Sequence, residues 1–111
     1  MIKNKETLDK GEIVENGTLR LYKLLEAPDK PEKLRTYARA ILAPGGEVEF
    51  HVHQGESESY YILSGQGLYN DNGEEREVFA GDITFTPSGA GHGIKNTGKE
   101  DLHFMALIIL D

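Results

Sequence analysis

Short runs of apolar and β-branched residues, many alternating with polar ones, are broken every few positions by Gly, Pro, Asn or Asp. Alternation of period two marks a strand that buries one face. The runs fall at 12–15, 19–25, 34–42, 47–53, 58–64, 67–70, 75–79, 83–86, 91–96 and 102–110. Asn16-Gly17 and Asp71-Asn72-Gly73 between runs are hairpin signals. Pro28 and Pro31 punctuate a loop, Pro44-Gly45-Gly46 and Gly81-Asp82 mark turns, and Pro87 ends a strand by removing a ladder donor. Helical periodicity with caps is absent, and residues 7–14 offer at most a helical turn. Many short strands with turns this frequent predict an all-β sandwich or barrel. The run 102–110 is apolar on both faces, as expected of a strand lying between two sheets or between two subunits.

Strand parity sorts the side chains. If Glu58 points inward, so do Tyr60 and Ile62; if His92 does, so does Ile94. In 34–42, Tyr37 and Arg39 share one face and Ala38 and Ala40 the other, and the pattern does not choose between them. Were Tyr37 and Arg39 inward, Arg39 would suit a substrate carboxylate or phosphate. Phe50 and Val52 are expected to point away from the histidines beside them, into a second layer of core. Gln54 and Ser57 are placed near the mouth of any site formed there.

The chain has 111 residues, enough for one domain and one core. We expect residues 1–33 to pack on, or exchange with, a partner subunit, and residues 34–111 to form the barrel. The net charge of −7 argues against nucleic acid as a partner, because phosphate binding needs a cationic surface. No apolar run approaches the roughly 18 residues of a membrane span. The N-terminal residues lack the apolar stretch of a signal peptide, and cysteine is absent. These features lead us to expect a cytoplasmic protein with no membrane partner. Exposed strand edges and apolar outer faces predict a homodimer.

Candidate chemistry centres on His51, His53, Glu58 and His92. His51 and His53 are two residues apart, so a strand would send both to one face. Glu58 follows a Gly-containing loop, and His92 lies in a Gly-rich segment downstream. Three imidazoles and a carboxylate suit a divalent transition metal if they converge. Each alone has a plainer reading, since strand histidines usually bond a neighbour or face solvent. Glu56 is as plausible as Glu58 by composition. His103 reads as a packing or surface histidine. Tyr60, two residues beyond Glu58, is a candidate catalytic or supporting phenol, set against simple core packing.

Spacing carries a resemblance. Gly45, His51, His53, Glu58 and Gly65 fit the pattern G-x5-H-x-H-x4-E-x6-G. Gly81, Pro87, Gly89, His92 and Asn96 fit G-x5-P-x-G-x2-H-x3-N. These are the two motifs of the cupin family, and residues 45–96 resemble the small single-domain cupins of bacteria. The resemblance implies a double-stranded β-helix, or jelly-roll, barrel. It implies a divalent transition metal (Mn, Fe, Co, Ni, Cu or Zn) held by His51, His53, Glu58 and His92. It chooses Glu58 over Glu56, and gives the fixed glycines, Pro87 and Asn96 structural roles in turns. It further implies a small-molecule partner, as substrate of an enzyme on a sugar acid or carboxylic acid (dioxygenase, isomerase, lyase or decarboxylase). The alternative is a non-catalytic module that binds metal and a small ligand.

Overall fold

The computed structural model describes residues 1–111. A short helix α1 (Lys5–Asp9) precedes ten strands: β1 (Ile13–Glu15), β2 (Leu19–Lys23), β3 (Leu34–Leu42), β4 (Glu47–Val52), β5 (Glu56–Ser64), β6 (Gln66–Asp71), β7 (Glu74–Phe79), β8 (Ile83–Thr86), β9 (Gly91–Asn96) and β10 (Leu102–Leu110). The helical turn expected over 7–14 lies earlier. Asn4 caps it, its side chain accepting from the Thr7 amide at 2.9 Å, and Val14 is already in β1. No helix is long and apolar enough to cross a membrane.

The strands form two antiparallel sheets, one of six strands in the order β1-β2-β3-β10-β5-β8 and one of four in the order β4-β9-β6-β7. From β3 to β10 the chain passes repeatedly between the sheets, the jelly-roll winding, although the sheets do not close into a continuous barrel. The core between them contains Ala40, Leu42, Ile62, Ile94, Leu102 and Phe104, each 2 % exposed or less. Burying a side chain such as Phe104 contributes about 1.5–3 kcal/mol. β1 and β2 extend the six-stranded sheet alongside β3, and Leu19 joins the core.

Turn chemistry matches the sequence. Asn72 and Gly73, between β6 and β7, have φ of 52° and 101°, as a tight hairpin requires. Asn96 is the buried clasp of another turn. Its amide donates to the carbonyls of Leu42 and Glu100, both at 2.8 Å, and its side-chain oxygen accepts from the Gly98 amide.

β3 settles the question parity left open. Ala38 and Ala40 face inward with no exposure, so Tyr37 and Arg39 face out. Arg39 stacks over the Tyr22 ring at 4.5 Å and pairs with Asp9 at 3.1 Å. Phe50 and Val52 do point away from the histidines, but no second core layer covers them: they are 48 % and 52 % exposed. They lie on the outer face of the smaller sheet, and a fold of two sheets has no third layer to cover that face.

Candidate metal centre

The side chains of His51, His53, Glu58 and His92 come from both sheets. His51 lies on β4 directly opposite His92 on β9, and His53 follows the last residue of β4. Glu58 reaches across from β5 in the facing sheet. A register shift between Val48 and His51 bends β4 there, so that Val48 and His51 both line the cavity despite their odd spacing. The close approach of β4 to β9 demands small residues beside His92. A Cβ on Gly93 would come within 2.9 Å of the Val48 carbonyl oxygen and the Phe50 nitrogen.

One ligand-type atom from each of the four residues lies within 4.8 Å of all the others. Glu58 Oε1 is 2.8 Å from both His53 Nε2 and His92 Nε2 and 4.0 Å from His51 Nε2. His53 Nε2 is 3.1 Å from the Nε2 atoms of His51 and His92. His53, Glu58 and His92 are buried, whereas His51 is half-buried.

The opposite ring nitrogens explain why Nε2 is the atom each histidine presents. His51 Nδ1 is 2.8 Å from the Glu49 carbonyl oxygen, which can only accept, so Nδ1 carries the proton. His53 Nδ1 likewise donates to Glu56 Oε2 at 2.8 Å. His92 Nδ1 is 2.7 Å from the Tyr69 hydroxyl, which lies 2.9 Å from Thr86 Oγ1 and can accept from one while donating to the other. With the His92 proton also on Nδ1, which the Tyr69 hydroxyl can accept, three lone pairs and a carboxylate oxygen converge on one point. Four acceptors at such spacing repel one another unless a cation sits among them. The spacing of 2.8–3.1 Å also matches the roughly 3.0 Å edge between neighbouring ligands around an octahedral ion with bonds of about 2.1 Å. The donor set therefore fits a divalent transition metal and can hold one.

Two of these supporting groups were not singled out by the sequence. Glu56 shares the inward face of β5 with Glu58 and Tyr60, and parity was the signal that could have exposed it. Its outer oxygen is bonded by Arg35. Burial alone would raise the Glu56 carboxyl, but the hydrogen bonds from Arg35 and His53 outweigh it and hold the group below its ordinary value. Tyr69 left no signal except its alternation with Gly67 in β6. Burial raises its phenol above the usual range.

Beside the cluster a cavity of about 340 Å³ opens between the sheets. His51, His53, Glu58 and Tyr60 line its inner end, and Leu21, Val48, Phe104 and Ile108 are among its apolar walls. The Tyr60 ring packs against His92 at 4.9 Å and Phe104 at 4.6 Å. Its hydroxyl bonds no protein group and is not sealed off, so it faces the cavity. Burial, reinforced by the Glu58 carboxylate, pushes this phenol well above its ordinary value, so it stays protonated and acts as a donor. Gln54 and Ser57 do not line this cavity. Gln54 borders a second hollow, on the other side of His53 and Glu56, with Arg35 and Val52, and Ser57 is on the face of β5 opposite Glu58. His103 lies on the face of β10 opposite the buried Phe104, away from the cluster.

Comparison with known proteins identifies the family. Residues 38–109 match the family described as Cupin domain. An oxalate-binding protein of Thermotoga maritima is 47% identical over 94 residues, covering 85% of this chain and 78% of that protein. The crystal structure of a predicted oxalate decarboxylase from Thermotoga maritima superposes with a TM-score of 0.81 at 46% identity, covering 84% of this chain and 81% of that one. A cupin 2 conserved barrel domain protein from Salinispora arenicola shares the fold at 22% identity, with a TM-score of 0.79 over 100% of this chain and 90% of that one. The chain belongs to the cupin family.

Proposed function

We propose that this protein binds a small carboxylic acid through a divalent transition metal held by the Nε2 atoms of His51, His53 and His92 and by Glu58. The observation that carries the reading is the convergence of three imidazole Nε2 atoms and one carboxylate at the inner end of a cavity. When bound, a divalent ion supplies Lewis acidity and, with one carboxylate among its ligands, a residual positive charge that attracts an acid anion. The protein's own residues orient the acid. Tyr60 donates a hydrogen bond to an acid oxygen, and the apolar walls exclude water and strengthen that bond. The similarity to an oxalate-binding protein supports the carboxylic acid class. Calorimetric titration of oxalate into protein loaded with manganese(II) is expected to give one site per chain. Equal heats in metal-free protein would refute the metal's part.

A second reading, turnover of the acid, is favoured by the protonated Tyr60 hydroxyl facing the cavity. Decarboxylation breaks a carbon–carbon bond, releases carbon dioxide and needs a proton at the carbon left behind, a role this reading assigns to the Tyr60 hydroxyl. Formate release from oxalate by the metal-loaded protein, lost in Tyr60→Phe, is the test. Binding without release leaves the non-catalytic reading.

We further propose a homodimer formed through the outer face of the six-stranded sheet, with residues 1–33 packed at the interface. Tyr61 and Leu63 on β5 and Ile83 and Phe85 on β8 are 42–73 % exposed, and Tyr61 pairs directly with Ile83. A contiguous apolar patch on an edge strand is otherwise a liability in water. Light scattering at micromolar concentration is expected to give twice the chain mass, and a monomer mass would refute the dimer.

A further inference from the structure

The cavity has a second polar end. Lys23 and Thr36 line it with the four residues of the inner end, and neither side chain makes a hydrogen bond or ion pair with the protein. Other cations on the same strands are engaged, Arg20 with Asp101 and Arg39 with Asp9. Lys23 shares the inward face of β2 with Leu19 and Leu21, which also line the cavity.

Strand register shows how the two ends are related. Lys23 pairs with Ala38, Ala38 with Ala106, and Ala106 with Tyr60, so these four form one row across four neighbouring strands. Three strand spacings separate the Cα atoms of Lys23 and Tyr60 by about 14 Å. Between them the row carries only alanines, whose short methyl groups border the cavity. The next inward row runs Thr36, Ile108, Glu58, placing Thr36 about 10 Å from Glu58. Thr36 is diagonal to Lys23 across the β2–β3 pair, about 7–8 Å away, within reach of one anionic group shared with it. Glu15 is the only other charged residue on the wall away from the cluster. It pairs with Leu19, four residues along β2 from Lys23 and about 13 Å away, so it does not neutralise the ammonium.

We propose that Lys23, assisted by Thr36, is a second anion-binding subsite, and that the ligand is a short two-headed acid. Its chelating head lies at the histidine–glutamate cluster and its distal carboxylate on Lys23, with the chain between them in the cavity that joins the two ends. This rests on the reading that the cluster holds a metal and a carboxylic acid, and it sharpens the ligand class. Oxalate, whose two carboxylates are bonded directly to each other, would spend both at the metal and leave Lys23 unused.

The test compares three acids by calorimetry on manganese(II)-loaded protein. Malate and 2-hydroxybutyrate share a 2-hydroxy acid head and a four-carbon chain, and differ in the terminal carboxylate. Oxalate reports the head alone. The wild type is expected to bind malate about tenfold more tightly than 2-hydroxybutyrate. Lys23→Met should erase that preference and leave oxalate affinity within about twofold, whereas Lys23→Arg keeps the charge and most of the preference. Lys23 is exposed at the end of β2, so neither change disturbs the core. Equal binding of malate and 2-hydroxybutyrate by the wild type, or equal losses for malate and oxalate in Lys23→Met, would overturn the subsite alone. No binding of any of the three acids would overturn the carboxylate reading, and the subsite with it.

Discussion

At the inner end of the cavity each imidazole is held by a different kind of partner: a backbone carbonyl for His51, the Glu56 carboxylate for His53 and the Tyr69 hydroxyl for His92. At the mouth, Lys23 and Thr36 are held by nothing. Fixing a ring costs rotamer freedom once, during folding, and leaves its lone pair aimed where an ion must sit. A free ammonium keeps its freedom and its hydration until an anion arrives. The inner end is thus preorganised for a resident cation, and the mouth is left open for a ligand that comes and goes.

The largest effect should come from breaking the inner end outright. His51→Ala is the cleanest choice, because His51 is the least buried of the three histidines and its loss leaves the core intact. Metal affinity should fall by more than the roughly 10- to 100-fold typical of losing an outer partner. Stoichiometric metal retained after gel filtration, measured by elemental analysis, would sink the assignment of His51 as a ligand.

Glu56→Gln tests the support rather than the ligand. The amide no longer offers His53 Nδ1 a charged acceptor, and metal affinity should drop about 10- to 100-fold in a competition titration with a chelator. The same residue carries a pH signature. Its carboxyl is depressed in the folded protein: burial opposes ionisation, but Arg35 and His53 more than offset it. A depressed carboxyl stabilises the fold fully above its ordinary value of 4.5, and that contribution is lost as pH falls through the lower folded value. Urea midpoints of metal-free wild type and Glu56→Gln should therefore differ at pH 7 and converge in acid. A gap that widened on acidification would contradict this account of Glu56.

The two ends of the cavity also differ in how far the sequence disclosed them. The strands were legible almost to the residue, because period-two alternation and Gly, Pro and Asn turns speak locally. The four clustered residues were legible because their spacing is part of two motifs. Tyr69 was not, since its bond to His92 depends on β6 meeting β9, which happens only through the winding, and Glu56, weighed only as the alternative to Glu58, supports His53 from three residues away. Phe50 and Val52 misled in the opposite way. An apolar residue at strand parity reads as core whether or not anything covers it, and here the outer face of the smaller sheet is bare at β4. Lys23 was silent because a lysine at a strand end is ordinarily solvated, and only the register placing it opposite Ala38 and across from Tyr60 gives it a cavity to face.

Tyr60 joins the two ends, and Tyr60→Phe should separate them. The ring and its packing on His92 and Phe104 survive, so metal affinity should be unchanged. Loss of one hydrogen bond to a bound acid costs about 0.5–1.5 kcal/mol, a drop of about two- to thirteenfold in affinity for oxalate by calorimetry. A parallel loss of metal would show that the phenol supports the cluster rather than the ligand.

The smallest expected effect is the most discriminating control on the mouth. Arg39 pairs in register with Tyr22, the neighbour of Lys23, and so carries its charge one residue along the same two strands. It points to the opposite face, where it is held by Asp9 and the Tyr22 ring. Arg39→Met and Lys23→Met remove the same unit of charge from nearly the same place in a protein of net charge −7. If long-range attraction drew diacids to the mouth, both variants would weaken malate alike, and added salt would mimic them. If the ammonium itself binds the distal carboxylate, Arg39→Met should leave malate affinity within about twofold. It should lower stability by no more than about 1 kcal/mol, through the lost stacking and partly exposed ion pair. Matched losses of malate affinity in the two variants would reduce the mouth to a diffuse field and leave the inner end as the only built site.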